Sequence, residues 1–151
     1  MRPQYTEEDF RQIDSYASMF GIEVIPCMQT LAHLIDVIKW PAYQAFSDTS
    51  DILLVGDERT YQFVEDMIVQ VMKPFRTKRI HIGMDEAWKV GRGSYEDLHG
   101  PRKHRRIAVN LPEILLGVLR PHIAKIGVAL QYSWAGSGLG YSGKPPRRCA
   151  G

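Results

Sequence analysis

Arg79-Ile80-His81-Ile82-Gly83 is a short, isoleucine-rich run that ends at a glycine, and two adjacent carboxylates, Asp85 and Glu86, follow it. A run of this kind, bounded by glycine, is typical of a short buried strand. In sheets and barrels of the α/β class, functional groups collect where the chain leaves the C-terminal end of a strand. The stretch therefore predicts a parallel strand that delivers two carboxylates to one edge of a sheet.

The sequence before this strand alternates between helical and strand-like patterns. The pair Thr6 and Asp9 resembles a capping box and predicts a helix that stops at Gly21. Apolar residues recur along it at helical spacing and predict its buried face: Phe10, Ile13, Ala17 and Phe20. The run Ile22-Glu23-Val24-Ile25-Pro26 then predicts a buried strand that proline ends.

A second helix is predicted after a less regular stretch with turn residues at positions 47–51. Asp57 can cap this helix, and Pro74 ends it. Its apolar residues share one face: Tyr61, Val64, Ile68 and Val71. Residues 6–83 thus alternate helix, strand, helix and strand, which predicts an α/β fold with a parallel sheet.

The charge distribution divides the chain near Gly100. Residues 1–100 carry a net charge of −6, whereas residues 101–151 carry +8, with Glu113 as their single acid. We therefore predict two parts, with an irregular, basic second part. Asn110 and Glu113 predict one short helix there, and the Gly-, Ser-, Pro- and Arg-rich composition predicts disorder from about residue 133.

The bulk composition bounds the class of protein. The 151 residues, 44% of them hydrophobic, suit a globular domain with its own core. The chain has no apolar run of membrane-spanning length, and its N-terminus leads into an acidic stretch. Only Cys27 and Cys149 are present, so no disulfide framework is indicated. These features predict a cytoplasmic protein with no membrane partner.

The adjacent carboxylates suggest acid/base chemistry. Two carboxylates held close cannot both ionise freely, so one can keep a proton near neutral pH while the other stays charged. That division of labour suits glycoside cleavage, but a solvated pair that caps the next helix is the plainer alternative. His33, at the end of the earlier predicted strand, could tune a carboxylate. Its plainer alternative is a partly buried histidine bonded to the backbone.

The segment His81-Ile82-Gly83-Met84-Asp85-Glu86 resembles the signature of glycoside hydrolase family 20, the β-N-acetylhexosaminidases, in which histidine and glycine precede an Asp-Glu pair. The upstream segment from Pro26 to His33 resembles the family's strand-end loop that closes with histidine, in its bacterial, intracellular-type branch. Two motifs in the correct order are more specific than either alone. The resemblance covers residues 4–99.

The resemblance implies an exo-acting, retaining hydrolase in which the 2-acetamido group of the substrate is the nucleophile and an oxazolinium ion the intermediate. It implies that Glu86 is the general acid/base and that Asp85 orients the acetamido group. It implies that His33 tunes the acid/base. The remaining candidates for substrate contact or tuning are Gln29, His81, Trp88 and Arg92. For Trp88 a core position, and for Arg92 an exposed loop position without a role, are the alternatives.

The resemblance also implies a partial (β/α)8 TIM barrel, comprising about the third and fourth strands with their helices over residues 1–100. A complete barrel takes about 250 residues. We expect the chain to leave the family pattern after Gly100, through a frameshift, a wrong gene call or a recombination.

The expected partner is an amino-sugar glycoside, terminated by β-linked N-acetylglucosamine or N-acetylgalactosamine, with no metal and no organic cofactor. The main alternative is an inactive barrel fragment that acts as an interaction module, and open strand edges predict self-association. A nucleic-acid or acidic-surface binder is a third hypothesis, based on basic residues of the second part: Arg102, Lys103, Arg105, Arg106, Arg147 and Arg148. No nucleic-acid partner is expected, because aromatic residues do not interleave with that charge.

Overall fold

The computed structural model describes residues 4–100, 117, 127 and 129–131. Five helices and two strands lie in these ranges: α1 (Glu7–Met19), α2 (Ile35–Ile38), α3 (Pro41–Gln44), α4 (Glu58–Met72), β1 (Arg79–His81), α5 (Ser94–His99) and β2 (Ala129–Gln131). The segment predicted to be disordered from about residue 133 and the six basic residues lie outside the described residues. Of the short helix predicted beyond Asn110, only Gly117 is described, with helical backbone.

The two long helices predicted from local signals are confirmed. The capping box of α1 is complete, since the Thr6 hydroxyl accepts from the Asp9 N–H at 3.1 Å and the Asp9 carboxylate accepts from the Thr6 N–H at 2.7 Å. Asp57 caps α4 by accepting from the Arg59 N–H at 2.9 Å. The apolar face of α4 is buried through Tyr61, Val64 and Ile68.

The buried face of α1 differs from the predicted one. Phe10 packs on Phe75 with ring centroids 5.6 Å apart, and Asp14 is buried, with its carboxylate 2.7 Å from the Arg76 guanidinium. Ile13 and Phe20, predicted to be buried, are exposed instead. The reason is that α1 contacts the segment after α4 through Phe10 and Asp14. The predicted apolar face is therefore only partly covered, and its residues Ile13 and Phe20 face solvent.

The sheet is parallel, as predicted, but its first strand is shorter than the sequence indicated. β1 pairs with β2 in parallel, with Ile80 opposite Leu130. On its other side β1 forms a single parallel bridge, between His81 and Cys27. The predicted strand over residues 22–26 is reduced to this bridge, because Pro26 has no N–H to donate and, among the described residues, no strand lies on its far side.

The hydrophobic core joins both strand-end loops to α4. Fully buried members come from the segment after Cys27 (Leu31), the turn region (Ile52 and Leu53), α4 (Val64 and Ile68) and the β1 region (Ile80, Ile82 and Met84). Burying each such side chain stabilises the fold by about 1.5–3 kcal/mol. The core thus fixes the two loops that carry the candidate site residues. Among the described residues, none of the helices has the length and apolar character that a membrane span needs.

Candidate active site

The candidate site is formed by two loops that leave neighbouring parallel segments, the bridge at Cys27 and strand β1, at the same edge. One loop follows the bridge residue Cys27 and runs to His33, and the other follows β1 and carries Asp85 and Glu86. The ladder bonds that align them are short, since the His81 N–H donates to the Pro26 carbonyl and the Met28 N–H donates to the His81 carbonyl, each at 2.9 Å. The parallel arrangement therefore brings the two motifs together.

Gln29 holds Asp85. Its side-chain N–H donates to the Asp85 carboxylate at 3.0 Å, while its carbonyl oxygen accepts from the Met84 N–H at 3.2 Å. The pKa of Asp85 lies below its ordinary value, chiefly because of the bond from Gln29; partial burial opposes this shift, and the Asp85 backbone, His33 and His81 lower the pKa further. The arrangement keeps the half-buried Asp85 ionised.

Glu86 lies beside His33. The imidazole Nε2 is 3.6 Å from the Glu86 carboxylate, and the two side chains are 43% and 55% exposed, respectively. A contact of this length between exposed groups is a weak tether, because solvent screens it. Glu86 is therefore accessible to a ligand from solvent while it remains within reach of an imidazole.

Left-handed backbone is concentrated at this site. In the described part of the chain, the non-glycine residues with positive φ are His33 (59°), Met84 (79°) and Glu86 (53°). Such conformations cost free energy in L-residues and persist where the surroundings enforce them, as they often do at functional sites. Gly83, with φ of 66°, adds a fourth left-handed position in the same turn.

His81 contacts the neighbouring strand-end segment and the backbone of its own loop. Its Nδ1 accepts from the Gly83 N–H at 3.3 Å and lies 3.3 Å from the Cys27 sulfur. Both contacts lie beside the bridge between Cys27 and His81, at the base of the turn that presents Asp85 and Glu86.

Trp88 and Arg92 lie further along the same loop. Trp88 is 47% exposed, and its N–H donates to the Glu86 carbonyl at 2.8 Å. The alternative that Trp88 is a core residue is wrong, because Ala87 and Val90 fill the core at this turn and direct the residues between them outward. Arg92 is exposed as well.

The sequence did not single out Asp48, which the structure places in contact with the same loop. Its buried carboxylate accepts from the backbone N–H groups of Gly91, Gly93 and Tyr95. The available signals were a turn-forming aspartate and a Gly-Arg-Gly stretch, but nothing in either indicates that the two meet. Within the described ranges, no cluster of three or more His, Cys, Asp or Glu side chains is arranged to hold a metal ion.

The family model described as glycosyl hydrolase family 20, catalytic domain, matches residues 1–100. No curated protein matches the chain.

Solved structures resemble the chain over 85% of its length, which is more than the family model covers. They include a β-N-acetylhexosaminidase from Bacteroides fragilis (18% identity, TM-score 0.65), a chitobiase from Flavobacterium johnsoniae (20%, 0.65) and a β-N-acetylhexosaminidase from Streptomyces coelicolor (20%, 0.61). The chain spans 27%, 21% and 25% of those three chains, respectively. At this identity the likeness shows the fold, which is of the TIM-barrel type.

Proposed function

The chain belongs to glycosyl hydrolase family 20, and on that premise we propose that it carries the acid/base part of a β-N-acetylhexosaminidase site. The proposed reaction is the retaining, exo-acting removal of terminal β-linked N-acetylglucosamine or N-acetylgalactosamine. The observation that carries the proposal is the pairing of Asp85 with Gln29 and of Glu86 with His33 where two parallel strands end.

Glu86 is the proposed general acid/base. In the first step its carboxyl gives a proton to the glycosidic oxygen, while the acetamido oxygen of the substrate attacks the anomeric carbon and forms an oxazolinium ion. The bond between the anomeric carbon and the glycosidic oxygen breaks, and the leaving group departs as an alcohol. In the second step the Glu86 carboxylate takes a proton from water, which attacks the same carbon and opens the oxazolinium ring, so that the acetamido group is restored. Two displacements at one carbon retain the anomeric configuration. The exposure of Glu86 and its nearness to His33 support this role.

Asp85 is the proposed partner of the acetamido group. A carboxylate that stays ionised can accept the acetamido N–H and stabilise the positive charge of the oxazolinium ion. The lowered pKa of Asp85 and its fixed bond to Gln29 support this role, because a held charge loses little free energy to reorganisation during the reaction. We assign substrate contact to Trp88 and Arg92, and support of the turn to His81.

The proposed architecture is a partial barrel over residues 1–100. The bridge segment at Cys27 and β1 would correspond to about the third and fourth strands, and β2 would follow them as the next parallel strand. Residues 101–151 would form a separate, basic part. The remaining substrate contacts of a complete site would then come from strands that this segment does not contain.

An inactive interaction module is the second candidate. Large apolar side chains on and after α1 are exposed: Ile13, Tyr16, Met19, Phe20 and Ile22. Exposed apolar surface of this kind favours association. The two candidates differ in what they predict for a small ligand, because only the hydrolase needs Asp85 to recognise an acetamido group.

Titration with a thiazoline mimic of the oxazolinium ion tests the proposed function. NMR spectra of the chain should show shifts at Gln29, His33, Asp85 and Glu86. Asp85→Asn should weaken binding by about tenfold or more, since a charged acceptor is replaced by a neutral amide. Glucose, which has no acetamido group, serves as the control ligand, and Asp36→Asn as the control variant. Equal thiazoline affinity in Asp85→Asn and the parent chain would contradict the role of Asp85.

A further inference from the structure

The loop from Gly83 to Tyr95 carries the proposed catalytic residues and is fixed at both ends. At its start, Gln29 binds the Asp85 carboxylate and the Met84 N–H. At its far end the loop enters α5, a helix of six residues with no N-cap side chain of its own. Asp48, from the turn region before α4, supplies the contacts at that end.

Asp48 accepts four backbone N–H groups from one short stretch. Its Oδ1 accepts from Gly93 at 3.2 Å and from Tyr95 at 2.9 Å, its Oδ2 accepts from Gly91, and its backbone carbonyl accepts from Ser94 at 2.9 Å. Asp48 is only 5% exposed. These four hydrogen bonds, called the clasp below, attach the far end of the loop to a buried residue, and leaving their buried groups unpaired would cost free energy.

Two glycines in the stretch from Gly91 to Tyr95 allow its backbone to approach Asp48 closely. A Cβ atom at Gly93 would lie 1.7 Å from the Asp48 carbonyl oxygen, so only glycine permits this approach. Gly91 has a φ of 75°, a conformation that also favours glycine. Asp48 is itself held by the core, since its N–H donates to the carbonyl of the fully buried Ile52 at 2.8 Å.

Between these two anchors, the position of Glu86 depends on the backbone. Its side chain is 55% exposed, and its contact with His33 at 3.6 Å is a weak tether. The backbone of Glu86 is left-handed, and its carbonyl accepts from the Trp88 N–H. Ala87 and Val90, both buried, join this turn to the far end of the loop, and the Val90 N–H donates to the Ala87 carbonyl at 3.1 Å. A shift of the far end would therefore pass through this connected stretch to the Glu86 carboxyl.

We propose that Asp48 is a positioning residue: its buried carboxylate clasps the far end of the loop and so sets the place of Glu86 relative to His33 and Asp85. The proposal rests on the proposed function for the role of Glu86, but the clasp itself can be tested without any reaction.

Asp48→Asn is the test variant, and Asp14→Asn is its matched control. Asparagine keeps the size of the side chain but turns one acceptor oxygen into an NH2 group that faces a backbone N–H. Asp14 is equally buried, at 5% exposure, and binds Arg76 away from this loop, so its substitution lowers stability without touching the clasp.

Amide exchange and nuclear Overhauser effects are measured in both full-length variants. In Asp48→Asn, the Gly91, Gly93 and Tyr95 amides should exchange about 10- to 100-fold faster, and the Overhauser effect between the His33 ring and the Glu86 side chain should weaken. In Asp14→Asn both signals should match the parent chain. An unchanged His33–Glu86 effect in a folded Asp48→Asn chain would overturn the proposal.

The parent chain gives a second measurement in case Asp48→Asn does not fold. Its Gly91, Gly93, Tyr95 and Trp88 amides should open at one common rate, because the clasp and the Glu86 turn move together. A Trp88 amide that opens at a rate different from that of the Gly91, Gly93 and Tyr95 amides would overturn the proposal.

Thiazoline binding separates this inference from the proposed function. If the parent chain binds no thiazoline, the proposed function fails while the exchange data still decide whether the clasp exists. If the parent binds it, the thiazoline-induced NMR shift at Glu86 should be smaller in Asp48→Asn, because the Glu86 carboxyl would no longer be held beside the ligand, while the shift at Asp85, which Gln29 holds, should remain. An equal thiazoline-induced shift at Glu86 in the two chains would overturn the inference alone.

Discussion

Gln29 connects the two strand-end loops through two hydrogen bonds. It donates to Asp85, accepts from the Met84 N–H and lies against the Cα of Gly83. A Cβ atom at position 83 would come within 2.1 Å of the Gln29 side-chain oxygen. Gly83 is thus favoured by its left-handed backbone, and any larger residue there would displace the end of the Gln29 side chain from its bonds to Asp85 and Met84.

A pair of glycine substitutions separates these two requirements. Gly21 and Gly83 have φ values of 69° and 66°, but a Cβ at position 21 would meet nothing within 4 Å. Gly21→Ala should lower the free energy of unfolding by about 1 kcal/mol, the usual cost of left-handed alanine. Gly83→Ala should lower it by about 1–3 kcal/mol more, because Gln29 must move. Urea unfolding of both variants measures the difference.

The same substitutions in a Gln29→Ala background provide the control. With the Gln29 side chain removed, Gly83→Ala and Gly21→Ala should cost nearly the same free energy, since only the backbone conformation remains. A persistent excess cost of Gly83→Ala in that background would show that Gln29 is not the obstacle.

At the residue scale, the sequence predicted which candidate site residues lie close together, but not the contacts that hold their loops in place. Asp85, Glu86 and His33 were found because each follows a predicted strand, and parallel strands end at one edge. Their catalytic roles stay predictions. Asp48 could not be found in this way, because its contacts join backbone groups 43 to 47 positions away and leave no periodic signal.

At the scale of elements, Glu23 fastens the segment before Cys27 to β1. Its carboxylate accepts from the Arg79 guanidinium, with Nε at 3.1 Å, and from the Thr77 hydroxyl. The bonds from Arg79 and Thr77 lower the pKa of Glu23 from 4.5 to about 2. This attachment stabilises a segment that, among the described residues, makes one bridge to the sheet.

Glu23→Gln should make stability depend less on pH. The folded-state pKa of Glu23 lies below its unfolded value, so its contribution is fully present above about pH 4.5 and is lost as the pH falls toward about 2. The variant should therefore melt at a lower temperature than the parent chain at pH 7, and the gap should close toward pH 2. Melting curves across this range measure it.

Glu8→Gln on α1 is the matched control for Glu23→Gln. Glu8 is an exposed glutamate that accepts from the Gln12 amide at 3.4 Å. Its substitution should change the melting temperature little at any pH. A gap for Glu23→Gln that stays constant between pH 7 and pH 2 would mean that the Arg79 bond does not depend on the charge of Glu23.

The helices and strands with strong local sequence patterns were predicted, and those with weak or no patterns were not. Helices α1 and α4 have capping residues and long apolar periodicity, and both are confirmed. Helices α2 and α3, of four residues each, are too short to produce a pattern. β2 lies in the basic part that was expected to be irregular, and it is a strand because it pairs with β1, a long-range contact that composition does not reveal.

At the scale of the whole molecule, the chain is a small part of the architecture that it resembles. It spans 21% to 27% of the three solved structures named above, although 85% of the chain aligns with each of them. The exposed apolar side chains on and after α1 occupy a surface with no partner among the described residues. A fold of this type provides substrate contacts from strands all around the barrel, so one segment supplies only part of them.

We therefore expect the 151-residue chain, expressed by itself, to show no appreciable hexosaminidase activity and to self-associate. Asp85, Glu86 and His33 alone cannot hold a sugar ring in productive geometry, and a displacement of about 1 Å can cost on the order of 100-fold in rate. The exposed apolar residues near α1 favour association in solution. Assays with an aryl β-N-acetylglucosaminide, beside light scattering, measure both properties, with Glu86→Gln as the control. Turnover at the rate of an ordinary glycosidase that Glu86→Gln abolishes would show that this segment forms a sufficient site, in the monomer or in its assembled form.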